Sequence, residues 1–266
     1  MIGYPFIYSG VPSEIFGMSI VFINNNNTEV NSGSGVELKI DNVFRNPEVL
    51  FMGAIQSPVL QFPIEFVCDQ AMDVYKLHEV KDWLFGNLNY KPLQICVDTL
   101  KTYYFNCKLI AEKDYIYGDG YTGFSCTAMC DAPWAWEFPI KKEFDLSASN
   151  FNTVKVFNVS GDKEDIKPIV RFKLLPNEYY FSIKNKSNNN LLFEFADLQS
   201  EEEIEVNNKT GIITSSTGLR RLKNLTKGIN SGFLKLKKGQ NILECTGKVH
   251  LEIIYQNAIR LGGGFY

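Results

Sequence analysis

Between residues 60 and 67 the chain reads Leu-Gln-Phe-Pro-Ile-Glu-Phe-Val, so the apolar side chains of Leu60, Phe62, Ile64 and Phe66 alternate with Gln61, Pro63 and Glu65. A period of two sends one set to each face of an extended strand, where a helix would scatter both sets round its axis. The alternation returns in Leu93, Ile95 and Val97, in Tyr103, Phe105, Cys107 and Leu109, and in Phe124, Cys126, Ala128 and Cys130. A chain that repeats this pattern must build sheet with one buried face, and most of the first 140 residues are expected to do so.

One segment departs from the rule. From Asp69 to Gly86, Val74, Leu77, Val80 and Leu84 recur at helical spacing on one stripe. This predicts a helix, with Asp69 or Asp73 accepting a backbone N–H bond at its start and Gly86-Asn87 supplying a left-handed stop. Trp83 falls off the centre of the stripe, so its ring packs either on a neighbouring sheet of its own chain or on a neighbouring subunit.

After Pro139 the polar stretch from Lys141 to Asn152 precedes a return of β-like runs at Val154, which places a domain boundary near residue 148. The expected domains are 1–148 and 149–266. In the second, short strands are expected at Ile169 to Leu174, Tyr179 to Ile183, Leu191 to Phe195, Glu203 to Val206, Ile212 to Thr214, Phe233 to Leu236, Ile242 to Cys245 and Val249 to Tyr255, the even spacing of a β-sandwich or jelly roll. The runs Asn207 to Gly211 and Lys237 to Asn241 offer hairpin turns. Asn24 to Asn27 and Asn31 to Gly35 read as loop, and Gly262 to Gly264 as a flexible joint.

Composition narrows the class. With 266 residues, 45% of them hydrophobic and 20 of them Phe, there is material for packed cores. A formal charge of −3 gives no global field for gripping phosphates. No basic start precedes an apolar core, and no apolar run reaches the roughly 18 residues of a membrane span, so no membrane insertion is expected. Without an export signal, Asn158-Val159-Ser160 and Asn224-Leu225-Thr226 are read as chance triplets. Cys68, Cys96, Cys107, Cys126, Cys130 and Cys245 lie mostly in apolar runs and are expected as reduced core thiols; Cys126 and Cys130, four strand steps apart, are separated by about 13 Å.

The candidate chemistry is sparse. Gly118-Asp119-Gly120-Tyr121-Thr122-Gly123 fits G-x-G-x-x-G, but no helix follows to hold a pyrophosphate, so a turn between two strands is expected. His78 and His250 have no nucleophile or ligand at useful spacing, and they fall in different domains. The acidic runs Glu201-Glu202-Glu203 and Asp162 to Asp165 read as solvated loops. No catalytic residue, cofactor or metal is expected. Arg220, Arg221, Lys223 and Lys227 form a basic patch suited to an anionic glycan or a protein partner, although a solvated loop is the simpler reading.

Three runs taken in order carry a resemblance: Trp83-Leu84-Phe85-Gly86, then Lys91-Pro92-Leu93-Gln94-Ile95, then Tyr103-Tyr104-Phe105-Asn106-Cys107-Lys108-Leu109, closed by Cys130-Asp131-Ala132-Pro133-Trp134-Ala135-Trp136. The order resembles the amino-terminal ring domain of siphophage distal tail proteins. Glu203-Ile204-Glu205-Val206 before Gly211-Ile212, Phe233 to Leu236 before Lys238 to Ile242, and Ile253-Ile254-Tyr255 resemble that family's galectin-like carboxy-terminal sandwich. The likeness spans about residues 6 to 260.

The resemblance implies a mainly β protein: an amino-terminal β-sandwich-like ring domain with one helix, then a galectin-like or jelly-roll sandwich. It further implies a non-enzymatic homohexameric ring in the virion, assembled in the host cytoplasm, that joins the tail tube protein to a tail-tip hub or tail-associated lysin. Tape measure and receptor-binding proteins are further implied partners, and genome DNA passes through the lumen. On this reading Trp83, Trp134 and Trp136 are candidate interface residues. The rival function is a carbohydrate-binding module for host glycans, weakened because all three tryptophans lie in the first half.

Overall fold

A computed structural model describes residues 3–21, 36–42, 49–56, 59–118, 120–161 and 164–260. The Asn24 to Asn27, Asn31 to Gly35 and Gly262 to Gly264 segments, with Asp119 and Asp162, lie outside them. The chain divides into two compact units, Met1–Trp136 with Ile259–Tyr266, and Glu137–Ala258. The division falls well before residue 148. Ile140–Asp145 is a strand of the second unit, paired with Val249–Tyr255, that turns Lys141 and Glu143 to solvent and packs Ile140 and Phe144 on the core. Its polar outer face mimics a linker in the sequence.

In the first unit an antiparallel sheet runs in the order Gly3–Tyr4, Met18–Val21, Gln61–Met72, Gly120–Cys130, Tyr103–Tyr117, Lys91–Ile95, Phe6–Tyr8, Val11–Pro12. Strands Val36–Asn42 and Val49–Gln56 pair separately. The alternation read from sequence sets which face is buried: Phe62, Ile64, Phe66, Phe105, Cys107, Leu109, Phe124, Cys126 and Cys130 all sit in one core. Burying a side chain of this size contributes roughly 1.5–3 kcal/mol relative to exposure.

Within the G-x-G-x-x-G run, Gly120 to Gly123 already belong to the strand Gly120–Cys130, which pairs antiparallel with Tyr103–Tyr117, so the run leads into a strand and not a helix. Gly123 is required by close approach: a Cβ there would stand 2.2 Å from the Phe66 carbonyl oxygen, at a register shift in the ladder.

The helix spans Val74–Phe85 and adds Leu77, Val80 and Leu84 to the same core. Asp73 caps it, its carboxylate accepting from the Lys76 N–H at 2.8 Å. Asp69 does not, because Asp69 to Met72 continue the strand Gln61–Met72. The expected left-handed stop is absent too. Gly86 has φ −67°, and its amide donates to the Asp82 carbonyl at 2.9 Å. A side chain there would collide with that carbonyl, so glycine serves a close contact, not a positive φ.

The second unit is a two-sheet sandwich. One sheet orders Ile140–Asp145, Val249–Tyr255, Ile169–Leu174, Glu203–Asn207, Ile212–Ser215; the other orders Phe151–Asn158, Gly239–Thr246, Phe181–Asn185, Leu191–Phe195. Their inner faces meet in a core that includes Phe172, Phe181, Phe193 and Phe195, with Phe172 and Phe181 rings 4.8 Å apart. The Asn207 to Gly211 turn joins two paired strands as expected.

Phe233 to Leu236 is not a ladder strand, although Leu234 and Leu236 are buried as its alternation demands. Its backbone is held by a single bridge, in which Leu236 and Ile166 each donate an N–H to the other's carbonyl, and by asparagine side chains. The Leu234 N–H donates to Asn208 Oδ1 at 2.7 Å, Asn185 Nδ2 donates to the Lys235 carbonyl, Asn158 Nδ2 to the Leu236 carbonyl, and the Lys237 N–H to Asn241 Oδ1. Buried asparagines here do what a neighbouring strand does elsewhere, satisfying groups that are costly to bury alone. Asn158, 1% exposed, is inaccessible to glycosylation in the folded chain.

Candidate interaction surfaces

Trp83 sits in the last turn of the helix, where the first unit's amino-terminal residues reach it. Its ring stacks on Phe16 at 4.5 Å and on Phe6 at 5.8 Å, and its Nε1 donates to the Tyr8 carbonyl at 3.2 Å. Contacts within its own chain thus occupy the ring and its only donor. Trp134 and Trp136 meet edge to face at 5.9 Å, both half-buried, and the buried Trp134 Nε1 has no hydrogen-bond partner among the described residues. The structure brings these two together and gives Trp83 a separate set of neighbours.

Other apolar side chains of the first unit face water without cover. Val74 and Tyr75 open the helix, Tyr75 at 86% exposure, and Ile116 and Tyr117 end the long hairpin strand, Tyr117 at 83%. Lys81 ties the helix to that strand through Asp114 at 2.6 Å, so both elements present these side chains from a fixed frame. No motif in the sequence marks them, and phase alone does not find them: Val74 continues the apolar stripe of Leu77, Val80 and Leu84 yet is exposed, and Ile116 and Tyr117 are consecutive in their strand yet both exposed.

The basic patch is rearranged. Arg220, Lys223 and Lys227 are exposed, but Arg221 is 6% exposed and belongs to the interior. Its guanidinium grips Glu202 with two bonds, Nε to Oε1 and Nη2 to Oε2, each 2.7 Å. Glu202, read from sequence as part of a solvated run, is 1% exposed and also accepts from the hydroxyls of Ser215 and Thr217 and from the Gln199 N–H. Burial alone would raise its carboxyl; the hydrogen bonds from Arg221, Ser215 and Gln199 overcome that and hold it below the usual carboxylate range. The strand that follows shows why Glu202 turns inward: Ile204 and Val206 are buried, and Glu202 shares their parity. Glu201 and Glu203 point to solvent.

The outer face of the second unit's first sheet carries a groove of about 510 Å³ lined by Glu143, Asp145, Lys173, Glu203, His250 and Glu252, among others. Arg171 crosses it, pairing with Glu205 and Glu252. The His250 and Asp145 side chains, both exposed, approach to 3.3 Å. The groove's two phenylalanines, Phe144 and Phe172, pack toward the core. His78 lies on the exposed side of the helix. All six cysteines are free thiols. Burial pushes Cys130 and Cys245 up to about 12 and Cys68 to about 11. At neutral pH such groups are protonated and weakly nucleophilic. Among the described residues no cluster of His, Cys, Asp and Glu is arranged to hold a metal ion, and no helix is long and apolar enough to cross a membrane.

Two family models cover almost the whole chain: a phage tail protein N-terminal domain over residues 1–132 and a phage tail C-terminal domain over residues 134–255. A search of curated protein sequences finds no match. Among solved structures, the fold is similar to SPP1 Dit, described as a paradigm of the hub adsorption apparatus in phages infecting Gram-positive bacteria. That match has a TM-score of 0.66 at 8% identity and covers 96% of this chain and 99% of the other. It is also similar to a chain of the phage P2 baseplate in its activated conformation with Ca, with a TM-score of 0.52 at 11% identity over 98% and 100% of the two chains. With both units matched in order by models of one tail protein and the whole chain sharing a hub protein's fold, the chain belongs to the phage tail protein family.

Proposed function

We propose that the chain is a distal tail protein: six copies form a ring that joins the tail tube to the tip or baseplate apparatus and leaves a lumen for DNA. The observation that carries this reading is the end-to-end match in fold to a hub protein, which takes in both units and leaves almost none of either chain over. The exposed Tyr75, Ile116 and Tyr117 suit it, because large apolar side chains held on rigid elements are the material of protein interfaces. In this role the ring surfaces of the first unit contact identical neighbours and tail proteins, and Trp134 and Trp136 remain candidates for such contacts. The role is geometric and asks for no catalyst. A slightly acidic chain also suits a lumen through which DNA slides without adhering.

The carbohydrate-binding reading has the second unit's groove in its favour, but the two aromatic side chains in that groove are turned inward and offer no platform to a sugar ring. Gold-labelled antibodies against this chain, applied to purified particles, test the assignment. Label confined to the tail end remote from the capsid is expected; label on the capsid or along the whole tail would overturn it.

A further inference from the structure

Residues 216–231 of the second unit read Ser-Thr-Gly-Leu-Arg-Arg-Leu-Lys-Asn-Leu-Thr-Lys-Gly-Ile-Asn-Ser: four cations and no carboxylate in a chain whose net charge is negative. Arg221 is neutralised by Glu202 inside the unit. Arg220, Lys223 and Lys227 stay at the surface, and among the described residues none of them has an ion-pair partner. Leu219 and Leu222 are about half exposed and Ile229 is fully exposed. Isolated exposed aliphatics are ordinary, but here three share one short segment with three unpaired cations.

The segment is also fixed in place. It lies along the edge strand Leu191–Phe195, with Ala196 N donating to the Asn224 carbonyl, Thr226 N to the Glu194 carbonyl, Leu192 N to the Asn230 carbonyl and Gly232 N to the Leu192 carbonyl. Leu225 is buried against the sandwich core. Gly228 and Ser231 exchange backbone bonds of 3.2 and 3.4 Å, which closes a turn with Ile229 and Asn230 at its tip. The bidentate Arg221–Glu202 pair anchors the other end from below. An aliphatic side chain held out on a closed turn gains no packing from its own chain, and a rigid segment loses little entropy when it docks.

We infer that residues 219–229 are a preorganised docking surface for another protein of the tail, one that presents carboxylates round an apolar pocket able to take Ile229. Charge complementarity decides the partner's rim, since three cations without counter-ions favour an acidic surface and disfavour a basic one. The three aliphatics decide between protein and a simple polyanion: a polyphosphate or anionic glycan would use the cations and leave Ile229 in water. The inference rests on the proposed place of the chain in the tail.

The test uses the full-length chain, immobilised for interferometry, with each of the other tail proteins encoded beside it supplied singly as the probe. Polyphosphate serves as a purely anionic probe and phosphatidylglycerol vesicles as an anionic surface with an apolar interior. Three forms are compared: wild type, Ile229→Asp, and Arg220→Glu with Lys223→Glu and Lys227→Glu; all four altered side chains are exposed, and thermal melting verifies folding. One tail protein is expected to bind wild type, to weaken at least about tenfold with either variant, and to weaken further as salt rises. Unchanged binding by Ile229→Asp, binding of only the anionic probes, or no binding of any tail protein would each overturn the inference. The molar mass of every form is recorded alongside. A ring that forms without docking defeats this inference alone, whereas a wild type that never forms a ring defeats the functional reading beneath it.

Discussion

The Glu202–Arg221 pair shows how one contact can govern a surface. Both side chains are withdrawn from water, and each makes its charge tolerable only through the other and through the hydroxyls and amides that complete the carboxylate's shell. Arg221→Ala leaves that carboxylate unpaired and should destabilise the second unit by about 3–5 kcal/mol in urea unfolding. Changing Arg220, which is exposed, should cost less than about 0.5 kcal/mol. The pair also sets an acid limit. Because the folded carboxyl titrates below its unfolded value, its contribution is complete above the ordinary glutamate range and is lost as pH falls through the lower folded value. The urea midpoint should therefore drop as pH is lowered below about 4.5, and the drop should be smaller in Glu202→Gln. At this scale the sequence misleads in an instructive way: Arg221 and Glu202 are each surrounded by like charges, and only strand parity, carried back one step from Ile204, distinguishes Glu202 from its neighbours.

Secondary structure was more legible, because elements average over many residues. The strand and helix periods report which face is buried, and here that rule orders the cores of both units. Ends were harder. Asp69 and Asp73 are both acceptable caps by residue type, and what separates them is that Gln61–Met72 pairs with its neighbours as far as Met72, a long-range fact. Asp73→Ala should lower stability by about 1 kcal/mol, read as a shift in the thermal midpoint of the first unit, while Asp69→Ala should leave the helix start untouched. The Phe233 to Leu236 segment failed for a related reason. Its alternation is real and its leucines are buried, but its hydrogen bonds go to a single bridge with Ile166 and to the side chains of Asn158, Asn185, Asn208 and Asn241, of which only Asn208 and Asn241 stand in runs that read as turns. Those bonds join positions up to 78 residues apart, beyond the reach of any local pattern.

For the whole molecule, composition and periodicity lead to a β-rich, two-unit protein and no further; the tail family entered through the order of short motifs, and the family models and the shared fold support it over both units. The groups that would carry assembly were not legible. Tyr75, Ile116 and Tyr117 belong to no motif and acquire meaning only when the fold leaves them uncovered. The central claim, that copies of this chain close into a six-fold ring, is tested most directly by light scattering of the full-length protein, alone and with its tail tube protein. A particle six times the 30.3 kDa of one chain, in either condition, is the predicted result, and a 30.3 kDa monomer in both would contradict it.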